Sequence, residues 1–565
     1  MIFLSVNRKK HEISPMIVHW SRKAAVCLFP FLCSFQLTAD TNEVAVAPMK
    51  LADFLSKVWE RNESLQIRMI ESIISDEKYK SERGIFEPEM VNSVDAVDRR
   101  RPNTAEQKAA LGGIFGAGPN VYNERNRTYS SALETLAPTG AKFRLGYSLQ
   151  SLENNLNASN SEGEWVSTVG LQMTQPLLRN GGVTVTMAGI RAAAISSEIS
   201  FQDYRKNIMD VVSQAEAAYW DLYQAQEQTA IAKDSMRVAQ TLLTDNKKRF
   251  ELGKTSEIDV LQAEAGVSER LAIYNEAKQK LATARSRAAT FISESWSANA
   301  LGLTAGDAPR IKEHTLNYND VSSQAYELNP SYASLLKQAE LEGLRVKVAK
   351  NQRLPELDLK GGYGFSGLAK NPGDSWNSAK DQAFPSWSIG LELRVPLGGG
   401  VKSKHELTAA ELRQAATARA LSGLGITLAN TLRSSIFSVT SYRENVDRYD
   451  KVVKVHEDVF KTQLARLDAG KVGSRDVLEA EEDVFKAKIA ALENLIRYQR
   501  SMLELELVVG SLLKTYNLDF TQKELQAKTI TLVNSGHVTL DKYEKFLQTM
   551  KAEYEKRRSS IITTP

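Results

Sequence analysis

The side chains best placed for chemistry are acids. Asp476 and Glu479 stand three residues apart, a spacing that puts both on one face of a helix. Asp259 and Gln262 repeat that spacing with one charge fewer. On spacing alone these are solvated groups on an exposed helix, or a local store of negative charge. The histidines offer less, because His11, His19, His314, His405, His456 and His537 are scattered, and no HxxxH or HExxH pair occurs. Neither a GxxxxGK[ST] phosphate loop nor a GxSxG elbow is present. Gly398-Gly399-Gly400 follows a candidate strand, lacks the spacing of a nucleotide site, and reads as a strand-to-helix hinge. No catalytic site, cofactor or bound metal is expected.

The composition fits that reading. At 565 residues, with 42% hydrophobic and 25% charged residues, the chain is two or three ordinary domains or one very elongated one. Lys plus Arg number 72 against 68 Asp plus Glu, and a net charge of +4 gives no reason to expect nucleic acid. Both cysteines, Cys27 and Cys33, fall near the start, where basic Arg22 and Lys23 precede a short apolar run and polar Thr38-Ala39-Asp40. That is the pattern of a secretory signal over residues 1–39, with Met16 as an alternative start. The mature chain would then have neither disulfides nor thiolate metal sites.

An internal duplication organises the rest. The segment Arg249 to Glu264, RFELGKTSEIDVLQAE, recurs as Arg466 to Glu481, RLDAGKVGSRDVLEAE, at an offset of 217. Gln175-Pro176-Leu177 answers Val395-Pro396-Leu397 at 220, while Asn62 answers Asn329 and Pro88 answers Pro355 at 267. The change from 267 to 220 places about 47 extra residues in the first copy, between Pro88 and Pro176. The copies are expected over 49–300 and 315–518. The insertion lies near 103–141, where turn signals suggest an enlarged loop or an added hairpin. A polar tail follows over 519–565, with a candidate helix around Leu540 to Arg557.

Proline is absent from Leu177 to Ala308 and from Leu397 to Thr564, and both blocks are rich in good helix formers. Each is broken once, at Gly253-Lys254 and Gly470-Lys471, which predicts two long helices joined by a turn. A helix from about Ala188 to Lys248 would span on the order of 90 Å, too long for a compact globule. Its apolar stripe runs Ile208, Val211, Val212, Ala215, Ala218, Tyr219 and Leu222. Before each Pro-Leu the period changes to two. Trp165, Val169, Leu171 and Met173 alternate with Thr168, Gly170, Gln172 and Thr174; Trp387, Ile389, Leu391 and Leu393 alternate with Ser388, Gly390, Glu392 and Arg394. Leu357 to Phe365 and Phe143 to Gln150 behave alike, whereas Met90 to Asp98 alternates poorly, so the start of the first-copy strand is open between Pro88 and Ala141. These strands fit a soluble sheet or an outward-apolar membrane barrel, and four of them cannot close a barrel without strands from other subunits.

This duplicated order of helix, strands, Pro-Leu, long helix, glycine turn, Asp-Val-Leu-x-Ala-Glu and helix resembles the TolC-like outer-membrane efflux factors, over roughly Leu51 to Leu518. The resemblance implies a mainly α chain with transmembrane β structure: a homotrimer with four strands per subunit in a twelve-stranded barrel, above a long periplasmic helical tube. It implies an outer-membrane exit duct for tripartite efflux or type I secretion, docked on a periplasmic adaptor and an inner-membrane transporter, opening by an iris-like movement. It also assigns sites. Asp476 and Glu479 match the acidic pair of the periplasmic aperture, with Asp259 and Gln262 as first-copy equivalents. Gly253, Lys254, Gly470, Lys471 and Gly473 fall at the adaptor-contacting tip. Trp165, Val169, Leu171, Met173, Trp387, Ile389, Leu391 and Leu393 face outer-membrane lipid. Val472 stands where relatives often carry an arginine, so a tip latch there is in doubt, and Arg475 is its possible substitute. The alternative is a secreted or periplasmic coiled-coil scaffold.

Overall fold

The computed structural model describes residues 48–106, 108, 120–154, 163–292, 302–311 and 316–519, with 521, 522, 524, 525 and 527. The expected signal segment, most of the C-terminal tail and part of the insertion lie outside the described residues.

Long helices dominate because long stretches lack proline and carry helix formers. Helix α1 (Leu51–Arg61) and α2 (Glu63–Glu82) open the chain. Four strands follow: β1 (Glu89–Pro102), β2 (Val121–Leu136), β3 (Lys142–Asn154) and β4 (Glu164–Pro176). Next come α3 (Ala188–Glu251, 64 residues) and α4 (Glu257–Phe291). The second half repeats the plan with α5 (Tyr318–Leu328), α6 (Pro330–Gln352), β5 (Glu356–Ala369), a short α7 (Pro372–Lys380) and β6 (Phe384–Arg394). Helices α8 (Val401–Asp468, 68 residues) and α9 (Ser474–Val509) complete it. At 1.5 Å per residue α3 is about 95 Å long. Among the described residues no helix is long and apolar enough to cross a membrane.

The halves use the same residues for the same work. Asn62 caps α2 by accepting from the Leu65 amide at 3.2 Å, and Asn329 caps α6 from Tyr332 at 3.1 Å. Each also donates its side-chain amide to a carbonyl near the end of its own copy, Asn62 to Phe291 and Asn329 to Val508. Around α1 and the middle of α3 lies the main core, with Phe54, Val58, Ile208, Val212, Ala215, Tyr219 and Leu222 buried. The stripe expected for this helix is therefore a packing face.

The sheet corrects the strand count. Its order is β1-β2-β3-β4-β5-β6, all antiparallel, giving six strands where four were expected per subunit. Both candidate starts of the first-copy strand are strands, as β1 and β3, and the expected insertion supplies β2, the second strand of the added hairpin, while β1 precedes it. Alternation concealed β1 because its faces are mixed: Val91 and Val97 share a face with Ser93, Asp95 and Arg99, while Asn92 and Asp98 lie with Met90 and Val94. The Gly398–Gly400 run is a hinge, with Gly399 and Gly400 at φ 72° and 64° immediately before α8.

Candidate functional site: a two-faced sheet and a coupled hairpin tip

One line across the register shows what the sheet can do. Met90, Leu133, Leu145, Leu171, Tyr363 and Trp387 are paired in succession from β1 to β6, all apolar and on one face. Trp387 is 76% exposed and Met90 70%. The next line, one residue away and on the other face, runs Glu89, Glu134, Arg144, Gln172, Gly362 and Ser388. Arg144 and Glu134 pair there at 2.8 Å. All eight residues expected on the membrane face, from Trp165 to Leu393, lie on the apolar side by this register. An exposed apolar face of this extent is costly in water and suited to hydrocarbon, and it is predominantly apolar from β3 to β6, whereas on β1 and β2 the same side also carries Asn92, Asp98, Arg125 and Arg127.

Helix α7 lies across the upper end of that face. Ser375 is fully buried, its hydroxyl within hydrogen-bond distance of Ser167 Oγ at 2.8 Å and of the Gly367 carbonyl at 3.0 Å, and Trp376 meets Tyr147 edge to face. Only glycine fits at 367, since a Cβ there would stand 2.2 Å from the Ser375 carbonyl oxygen.

The far ends of the hairpins form the second region. Gly253 and Gly470 adopt φ 70° and 69°, and each turn closes by matching bonds, Lys254 N–H to Arg249 and Lys471 N–H to Arg466. This is the Schellman pattern, and the left-handed residue explains why both turns need glycine. Lys254, Lys471 and Gly473 are exposed. Phe250, Leu252, Ile258 and Leu261 are exposed around the first tip, Leu252 at 69%.

The candidate aperture acids have local partners. Asp259 accepts from Thr255 Oγ1, Ser256 Oγ and the Ser256 amide at 2.8, 2.6 and 3.1 Å, completing a capping box at the start of α4. Those bonds, first the Ser256 hydroxyl, hold its carboxyl below the usual 3.8. Asp476 accepts from the Gly473 amide at 3.0 Å, the corresponding half of the box on α9. Glu479 pairs with Arg475 at 2.8 Å on its own helix, and Gln262 is exposed. Arg475 thus does not bridge the hairpins. Val472 instead packs against a small tip cluster of Leu242, Leu467 and Val477.

Residues that the sequence did not single out join the two hairpins. Arg270 on α4 binds Glu481 on α9 at 2.8 Å with both side chains buried, and donates to the Leu478 carbonyl at 3.3 Å. Arg249 at the end of α3 reaches the Leu467 carbonyl at 3.0 Å and Asp468 at 2.9 Å. Ser474 donates to Asn246 at 2.8 Å. Among the described residues no group of His, Cys, Asp and Glu is placed to hold a metal.

A sheet with a broad apolar side from β3 to β6 and a polar side behind it, carried on helical hairpins of this length, defines a channel protein of the outer-membrane type. The chain matches the family model for outer membrane efflux proteins over residues 141–290 and 321–511, and it belongs to that family of the outer membrane. It is 23% identical over 429 residues to outer membrane protein TolC of Vibrio cholerae serotype O1, covering 72% of this chain and 94% of that protein. It is 23% identical over 317 residues to outer membrane efflux protein BepC of Brucella suis, covering 55% and 64%. Its fold is shared with the CmeC outer membrane channel of Campylobacter jejuni, at TM-score 0.59 and 16% identity over 83% of this chain and 90% of that one. The open-state MtrE outer membrane channel of Neisseria gonorrhoeae gives 0.57 and 17%, over 81% and 88%.

Proposed function

We propose that three copies of this chain form the outer-membrane exit duct of a tripartite efflux pump or type I secretion system, without catalysis of their own. The observation that carries this is the unbroken apolar line from Met90 to Trp387, beside a polar line one residue away, on a chain whose helices run about 95 Å from the sheet. Lipid would meet the first face and cargo the second. The hairpins would project into the periplasm, and their exposed tips, with Gly253, Lys254, Gly470, Lys471 and Gly473, would meet an adaptor linked to an inner-membrane transporter. Exposed apolar residues on α2 (Ile67, Ile70, Ile74) and α8 (Phe437, Val455) supply surface for the neighbouring subunits.

Threefold repetition would gather Asp476 and Glu479, with Asp259 and Gln262, near the axis at the narrow end, where carboxylates draw cations. The Arg475 partner of Glu479 tempers that charge. Opening is an iris-like separation of the α8–α9 hairpin from α3–α4, and the Arg270–Glu481 and Arg249–Asp468 bonds oppose it.

The test is conductance of the detergent-extracted protein in planar bilayers. Small, cation-favouring steps that lose selectivity in Asp476→Asn/Glu479→Gln support the reading. A protein that stays in solution without detergent and leaves bilayers silent overturns it.

A further inference from the structure

We propose that the membrane barrel of this protein has eighteen strands, closed by pairing β6 of each subunit with β1 of the next; this rests on the trimeric duct proposed above. Strands β1 and β2 pair over fourteen consecutive residues from Glu89 to Pro102, and β2 pairs with β3 from Glu124 to Leu136. Strand β3 therefore has no free edge, and the free edges of the sheet belong to β1 and β6. Open edges do not persist in hydrocarbon, where backbone groups find no water. With six strands in antiparallel succession, β6 runs opposite to β1, so the next copy presents the direction an antiparallel closure needs.

The slope of the apolar band gives the register. On β6 the outward apolar run from Pro385 to Leu393 centres on Ile389, and on β1 the outward apolar residues Met90, Val94 and Ala96, interrupted by Asn92 and bounded by Asp98, centre on residue 93. Pairing carries Ile389 through Gly361, Met173 and Phe143 to Thr135, whose line meets the chain just before Glu89. The band therefore climbs about five residues in five steps, or about 3.4 Å for each 4.8 Å, a tilt of about 35°. That lies within the range closed barrels require. One more equal step sets Ile389 opposite Val94 of the next copy. Trp387 then meets Ala96 and Leu393 meets Met90 on the lipid side. On the lumen side Ser388 meets Asp95, and Arg394 meets Glu89, its opposite charge.

The width agrees. Strands spaced about 4.8 Å and tilted about 35° give a backbone diameter near 23 Å for twelve and about 34 Å for eighteen. Twelve long helices, four from each of three copies, at about 10 Å spacing ring a tube about 38 Å across. The added hairpin lets the barrel meet that tube without a constriction. The family match covers residues 141–290 and 321–511, so β1 and β2, like α1 and α2, lie outside the matched residues.

Disulfide trapping tests the closure, because Cys27 and Cys33 are the chain's only cysteines. Ser388→Cys with Asp95→Cys should oxidise to a covalent trimer, and Ser388→Cys with Ser148→Cys, the β6-to-β3 pairing of a twelve-stranded barrel, should not. A photo-crosslinking residue at position 388, mapped by mass spectrometry, reads the same contact without a second substitution and should label β1 peptides. Labelling of β3, or cross-linking by the second pair, overturns the eighteen-stranded barrel and leaves the duct standing. So does a trimer in which the first pair stays unlinked. A chain that stays monomeric in detergent overturns the duct itself.

Discussion

Replacing Arg270 by Met should loosen the closed tip. Its guanidinium sits 2.8 Å from Glu481 with the two side chains 6% and 7% exposed, so removing it strands a carboxylate between α4 and α9. Breaking one partner of a buried pair costs about 3–5 kcal/mol. In the iris-like opening proposed above, separation of the hairpins would rehydrate Glu481, so most of that cost would fall on the closed form. Each subunit should then shift toward the open form by on the order of 10² to 10³-fold, at about 1.4 kcal/mol per tenfold change. Single-channel recording should show frequent wide openings, and cells should admit solutes too large for the closed aperture. Arg270→Met with Glu481→Leu should restore much of the closed state, because a packed apolar pair removes the stranded charge. Unchanged conductance in Arg270→Met, or a double variant as leaky as the single one, would refute the coupling.

Asp259→Ala removes the acceptor of three bonds at the start of α4 and should cost the tip about 1 kcal/mol, seen as faster amide exchange in the residues after Ser256. The carboxyl of Asp259 is held below 3.8, so the cap is fully present above that value and lost as pH falls through the lower folded one; exchange at the tip should accelerate only in strong acid. On the sheet, Leu391→Arg on the apolar face should lower barrel stability by about 2–4 kcal/mol in thermal unfolding, while Ser388→Arg on the polar face should be nearly silent. Asn62→Ala and Asn329→Ala should each destabilise by about 1 kcal/mol, and a large inequality in melting temperature would contradict their shared role.

Legibility in the sequence followed how local the signal was. Gly253 and Gly470 announced the turns because a left-handed residue after a proline-free helix has few alternatives. Strand β6 was equally plain, since Trp387, Ile389, Leu391 and Leu393 alternate with polar residues on a strand that is clean on both faces. Strand β1 was not, because Val91 and Val97 belong to the polar side and only its pairing with β2 assigns them. The capping roles of Asp259 and Asp476 could have been read, for Ser256-x-x-Asp259 is a helix-start signature and Gly473-x-x-Asp476 its reduced form. Arg270 and Glu481 could not, being 211 residues apart on different helices with no local pattern to connect them.

Single-particle imaging of the full chain in lipid nanodiscs tests the account most directly. The account predicts a threefold particle with the face of Leu171, Tyr363 and Trp387 against the lipid, Gln172 and Ser388 toward a continuous lumen, and hairpins that narrow at Gly253 and Gly470. A monomer, or an assembly whose polar face meets the lipid, would contradict it.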